Sequence, residues 1–272
     1  MTFEIAELSD YDSSPIELYE FKYSTKTWRY TSGDEDILFN GSTYFKLNMS
    51  RNEISKNKEI NKSNLKISMS SDVSLGDEFL IYPPSEIMMV SVFRLQRFEA
   101  TTDFALIWTG RVVNAEWKKS FIEFYCEAIL TSLSRPGLNR KYQVQCPLVL
   151  YGTRCKVDQG IFESSGNIVS VVNGLITLPN SISEADGYFT AGIVVFIDIN
   201  SVPHKRAIET HVGQEIQLAF GIDGLTNGSL ISIYPGCRHS KTDCADKFSN
   251  LINYGGFLHS PSLNPFDGLT LY

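Results

Sequence analysis

The sequence predicts a mainly all-β protein, built as several barrel- or sandwich-like β-regions, with a cysteine-rich, metal-binding C-terminal region and one short helix. Three observations carry that prediction. Two Asn-Gly dipeptides each sit between short apolar runs, several segments alternate apolar and polar residues with period two, and Gly and Asn punctuate the second half into short runs.

Taken in order, Trp28 to Phe45 holds Asp36-Ile37-Leu38-Phe39, the turn Asn40-Gly41 and Ser42-Thr43-Tyr44-Phe45, a hairpin whose turn residues tolerate positive φ. Arg51 to Lys62 is too polar to pack and reads as a long surface loop. Leu65, Ile67 and Met69 alternate with polar neighbours, as do Ile122, Phe124, Cys126 and Ala128, and each set predicts a strand. Val90–Phe98 and Phe104–Trp117 add longer β-rich runs. Arg135, Pro136, Gly137, Arg140 and Lys141 then interrupt the pattern with a local basic patch, which places the boundary between an N-terminal region, 1–134, and a C-terminal region, 135–272. Beyond it, Ser170-Val171-Val172 and Leu175-Ile176-Thr177-Leu178 flank Asn173-Gly174 in a second hairpin. Gly192–Ile199, Ala207–Thr210, Glu215–Phe220 and Leu230–Tyr234 are further strands, and Asp243–Ile252 is a helix stopped by Gly255-Gly256.

A chain of 272 residues with 43% hydrophobic content can bury a sizeable core. Its net charge of -7 argues against a nucleic-acid clamp, which needs clustered Lys and Arg to displace counterions from phosphates. No apolar run of membrane-spanning length occurs, and the acidic, polar start Met1 to Ser14 lacks the basic and apolar parts of an export signal, so a cytoplasmic origin is expected. Thiols stay reduced there, and clustered cysteines are metal ligands more often than disulfide partners.

Four of the five cysteines form two pairs, Cys146/Cys155 and Cys237/Cys244, separated by about 80 residues. If the intervening strands run out and return, both pairs meet at one end of a β-domain and offer four thiolates to zinc or to an iron–sulfur cluster. The spacing is not the tight one of zinc ribbons, so a metal site, two disulfides and unconnected buried thiols all stay open on spacing alone. Cys126 shares the apolar face of its strand and reads as core. His239, inside the second pair, and His259, after the Gly255-Gly256 turn, are rival ligand candidates, whereas His204 and His211 lie in ordinary strand surroundings. Signatures of nucleophilic, phosphate-binding, dinucleotide-binding or helical zinc chemistry are absent, which predicts a protein that is not an enzyme. Trp28, Trp108 and Trp117 read as packing residues.

Several motifs together resemble a family of phage and prophage tail proteins that includes the hub of gene transfer agents. They are Trp28-Arg29-Tyr30-Thr31-Ser32-Gly33-Asp34, Trp108-Thr109-Gly110-Arg111-Val112-Val113, Ser134-Arg135-Pro136-Gly137-Leu138, Tyr142-Gln143-Val144-Gln145-Cys146-Pro147-Leu148, and Tyr234-Pro235-Gly236-Cys237-Arg238-His239-Ser240 with Cys244, Phe248-Ser249-Asn250 and Gly255-Gly256-Phe257. They fall in the family's order and span nearly the whole chain.

The resemblance implies a virion tail-tip or baseplate hub, assembled in the bacterial cytoplasm and similar in role to the lambda-type tail-tip protein, which forms a threefold ring beneath the tail tube. It implies a structural [4Fe-4S] cluster, with zinc as the alternative, on Cys146, Cys155, Cys237 and Cys244. The implied partners are further copies in a homotrimer, a distal tail protein or tail-tube ring, and a central fibre or receptor-binding tip protein, with neither specific nucleic-acid binding nor a membrane anchor. The competing reading is a cytoplasmic iron–sulfur or zinc protein with a redox or regulatory role.

Overall fold

In the computed structural model, which describes residues 14–54, 64–96, 104–134, 137, 142–199 and 201–259, the chain divides into two units between Arg135 and Pro136. The first contains strands β1 (Pro15–Tyr23), β2 (Lys26–Thr31), β3 (Ile37–Phe39), β4 (Ser42–Lys46), β5 (Met49–Arg51), β6 (Leu65–Ser70), β7 (Met89–Gln96), β8 (Ala105–Lys118) and β9 (Phe121–Ala128). They pair in the order β3-β4-β2-β1-β7-β8-β9-β6-β5. Because β4 and β5 are consecutive in the chain, separated by Leu47 and Asn48, the sheet closes on itself: Ser42–Arg51 pairs with β2 at one end and with β6 at the other. Closure removes the unpaired edges that an open sheet would expose.

Inside this barrel lie Tyr19, Phe21, Val90, Val92, Leu65, Ile67, Met69, Ile122 and Phe124, all essentially without solvent contact. The lumen is a packed core. Half-buried Glu17 accepts hydrogen bonds from Arg51, Arg94 and Tyr19, and so joins β1 to β5 and β7. Ile16 and Leu18 point the other way, into a small second core beneath the β3–β4 hairpin with Phe39 and Tyr44.

The second unit contains β10 (Ser164–Asn167), β11 (Ser170–Val172), β12 (Leu175–Thr177), β13 (Ile193–Ile197), β14 (Pro203–Val212), β15 (Glu215–Leu218) and β16 (Leu230–Tyr234), in the order β10-β16-β13-β14-β15-β12-β11. It closes in the same way. The segment Ser164–Val172 pairs through β10 with β16 and through β11 with β12, and the hydrogen bonds Ile168 N to Ser229 O and Val169 N to Thr177 O fill the junction. Its core gathers Ile168, Ile176, Phe189, Val194, Ile208, Ile216, Leu218, Ile231 and Ile233.

Both predicted hairpins form, with Asn40 and Gly41 at φ 47° and 73°, and Asn173 and Gly174 at φ 49° and 81°, the left-handed pair that a two-residue β-turn requires. The predicted strands around Leu65, Ile122, Val90, Phe104, Ile193 and Leu230 are present. Four were not predicted: β1, β2, β5 and β10. β1 carries apolar residues on both faces, because a core lies on each side of it, and this hides its period. β10, Ser-Ser-Gly-Asn, carries no apolar signal at all. The predicted helix Asp243–Ile252 is corrected: a wide helical turn, Asp243–Lys247, and a 3-10 turn, Leu251–Asn253, are broken apart at Ser249 (φ 47°) and Asn250. The basic patch at Arg135, Pro136, Arg140 and Lys141, and most of the polar loop to Lys62, lie outside the described residues.

Candidate metal centre

The register of one strand pair accounts for the site. Ser164 at the start of β10 faces Ile233 near the end of β16, so the chain enters β10 and leaves β16 at the same end of the second barrel. The segment before β10 carries Cys146 and Cys155, and the segment after β16 carries Cys237 and Cys244. Residues about 80 apart in sequence are thereby delivered side by side.

Hydrogen bonds lock the two segments together. Cys146 N donates to His239 O at 2.9 Å, Phe257 N donates to Gln143 O at 2.8 Å, and Tyr254 Oη donates to Val144 O at 2.7 Å. Tyr151 Oη donates to Pro235 O at 2.8 Å. Asn250 Nδ2 donates to Cys155 O at 2.6 Å. Lys247 Nζ donates to Gly236 O at 2.7 Å and also to Tyr188 O, and sits 4.3 Å from the Tyr188 ring centre. Gly236 is required where it is: a Cβ there would fall 2.0 Å from Thr190 O.

All five cysteines are free thiols. Cys244 is buried, while Cys146, Cys155 and Cys237 are half-buried. Burial pushes the Cys237 thiol up, against the pull of the His239 N–H, and neighbouring Asp243, Cys146 and Cys155 push it further. Cys244 is pushed up by burial and then by the other three cysteines.

Three of the sulfurs face N–H groups: His239 N to Cys237 Sγ at 3.3 Å, Gly255 N to Cys146 Sγ at 3.4 Å, and Asn250 Nδ2 to Cys155 Sγ at 3.8 Å. Cys244 Sγ instead donates to Asn250 O at 3.2 Å. Four soft donors, three of them supplied with N–H partners that stabilise sulfur carrying negative charge, fit a thiolate-held metal group. Among the described residues, no three His, Cys, Asp or Glu side chains converge closely enough to hold a single metal ion.

Each predicted candidate therefore has a place. The structure pairs the segment that carries Cys146 and Cys155 with the one that carries Cys237 and Cys244, and places Cys126 in the first barrel's core, where burial pushes its thiol up. His239, held at φ 60°, contributes its backbone N–H and carbonyl, and His259 lies exposed beside Phe257 and Tyr142. His204 lies on β14, 3.5 Å from Asp198, and His211 is buried against Phe189. The roles of Tyr151, Lys247, Asn250 and Tyr254 were not visible in the sequence, since each acts by reaching a backbone carbonyl far away in the chain.

Comparison with known proteins adds the family. A model described as "Baseplate hub protein, N-terminal attachment domain" matches residues 17–158, more than half of the chain. The chain belongs to the baseplate hub protein family. A second model, "Phage conserved hypothetical protein BR0599", matches residues 187–264. The first span of this hub protein carries Cys146 and Cys155 and the second carries Cys237 and Cys244, so one cysteine pair falls within each match. An uncharacterized protein of Xylella fastidiosa (strain 9a5c) is 23% identical over 182 residues, covering 62% of this chain, and the chain spans only 38% of that relative's length. A solved structure, the virion of the native gene transfer agent (GTA) particle, is similar with a TM-score of 0.79 at 16% identity, over 96% of this chain and 92% of that chain. At that identity the likeness is one of fold.

Proposed function

We propose that this hub protein is a structural component of the tail tip of a phage or phage-like particle, joining the tail tube to a central tip or fibre, and that its second unit carries a structural [4Fe-4S] cluster on Cys146, Cys155, Cys237 and Cys244. The hub role rests on the family match across residues 17–158, and the fold likeness to a virion supports it. The partners that fit the role are further copies of the chain in a homotrimer, a distal tail protein or tail-tube ring, and a receptor-binding tip protein.

One observation carries the cluster: four thiols from two distant segments share one end of a barrel, with N–H donors on three of them. Four thiolates suit an iron–sulfur cluster or zinc, and the cluster is the choice that the family resemblance implies. When bound, such a group supplies four strong bonds between segments that the chain otherwise joins by hydrogen bonds and by ring packing such as Tyr142 against Phe257 and Tyr151 against Phe248.

In this reading the cysteines serve architecture. A covalent closure of a loop of about 80 residues is worth on the order of 4 to 5 kcal/mol in the chain-entropy model, and this scales the clamp expected between the two segments. A redox or regulatory role would require a reversible potential and an accessible cluster, and voltammetry separates it from a silent structural one. Thermal unfolding and metal content of Cys237→Ser test the clamp: both should fall, and if neither changes the clamp is wrong.

A further inference from the structure

We infer that Asn250 is a positioning residue of the cysteine site, which registers the second cysteine pair against the first and places an amide N–H at the Cys155 sulfur. This rests on the reading of the four cysteines as a metal site and adds a determinant of how that site holds its ligand.

Asn250 lies where the expected helix breaks, after the left-handed Ser249, and is 9% exposed. Its backbone holds one cysteine pair: its N–H donates to Cys244 O at 2.8 Å and its carbonyl accepts from Cys244 Sγ at 3.2 Å. Its side chain holds the other: Nδ2 donates to Cys155 O at 2.6 Å and faces Cys155 Sγ at 3.8 Å, while Oδ1 accepts from Asn253 Nδ2 at 2.6 Å. The carboxamide orientation follows from chemistry, since the Cys155 carbonyl can only accept and the atom facing it must be the nitrogen. One buried residue thus touches both cysteine pairs.

The two sulfur contacts respond oppositely to ligation. The S–H that Cys244 donates to Asn250 O is given up when that sulfur becomes a ligand. The N–H toward Cys155 Sγ strengthens, because a donor gains when its acceptor carries charge. Replacing the amide nitrogen by oxygen, as in Asn250→Asp, removes that N–H and puts a negative charge beside thiolates at almost unchanged volume.

The test uses the full chain purified anaerobically and loaded with iron and sulfide, comparing wild type, Asn250→Asp and the milder Asn250→Ser, with circular dichroism as the check on folding. Retention of iron against a chelator and the reduction potential are measured. Loss of an outer-shell partner of this kind weakens metal binding about 10- to 100-fold. The expected result is iron loss at least about tenfold faster in both variants and a lower potential in Asn250→Asp; a merely structural residue would leave the potential unmoved. Folded variants with wild-type retention and potential overturn the inference while leaving the cluster in place. A wild-type chain that takes up neither iron with sulfide nor zinc overturns the metal reading, and this inference with it.

Discussion

The phenol of Tyr151 and the carbonyl of Pro235 form a 2.8 Å hydrogen bond between residues 84 apart in sequence, directly tying the loop that carries Cys155 to the turn that carries Cys237. The ring also packs edge-on against Tyr234 and Phe248. Tyr151→Phe keeps the packing and deletes the bond. The expected cost is about 1 kcal/mol, seen as a lower urea midpoint for the second unit, together with faster metal loss.

Gly236, at the same turn, has no room for a side chain, since a Cβ would meet Thr190 O at 2.0 Å and Ala191 C at 2.3 Å. Both obstacles are backbone, so Gly236→Ala must displace the turn. We expect a loss of at least about 2 kcal/mol in the second unit, measured by thermal unfolding.

The first barrel carries an acid-sensitive contact. Burial raises the Glu17 carboxyl, but hydrogen bonds from Arg51, Tyr19 and Arg94 outweigh it and hold the carboxyl below its ordinary range. A depressed carboxylate contributes stability above the unfolded value near 4, and that stability is lost as pH falls through the folded value. Urea unfolding between pH 7 and 3 should show the first unit weakening below about pH 4. Glu17→Gln should lower stability by about 2 kcal/mol at pH 7 and flatten the acid dependence.

The second barrel carries a different one. The His211 ring is buried, with Gly213 as its backbone neighbour, and stacks edge-on against Phe189 at 4.9 Å. Burial lowers its pKa, against the opposing pull of the Gly213 backbone, Asp186 and Glu184, and Lys247 lowers it further. The folded state therefore prefers the neutral ring, and stability falls as pH drops below the unfolded value near 6.5. His211→Leu should remove that slope between pH 6.5 and 5 without loss at pH 7.5, as read by thermal unfolding.

Much of this was legible in the sequence where one physical signal dominated. Asn40-Gly41 and Asn173-Gly174 announced their hairpins because the left-handed conformation is cheap for those residues, and Leu65, Ile67 and Met69 announced a strand because only one of their faces is buried. β1 was hidden because Ile16 and Leu18 pack on one side while Tyr19 and Phe21 pack on the other. The four cysteines were visible as residue types, but the pairing of the two segments that carry them depends on the Ser164–Ile233 register, which no local pattern encodes. Asn250 was invisible as a determinant for the same reason, since a helical pattern runs through it and its contact with Cys155, 95 residues away, leaves no local trace.

The most direct test of the central claim is anaerobic purification of the full chain, followed by visible absorbance and iron, zinc and sulfide analysis, beside a variant with Cys146, Cys155, Cys237 and Cys244 all changed to Ser. The account predicts a brown protein containing iron and sulfide, both lost in the variant. A colourless wild-type protein without iron or sulfide, or equal iron in the variant, would contradict it.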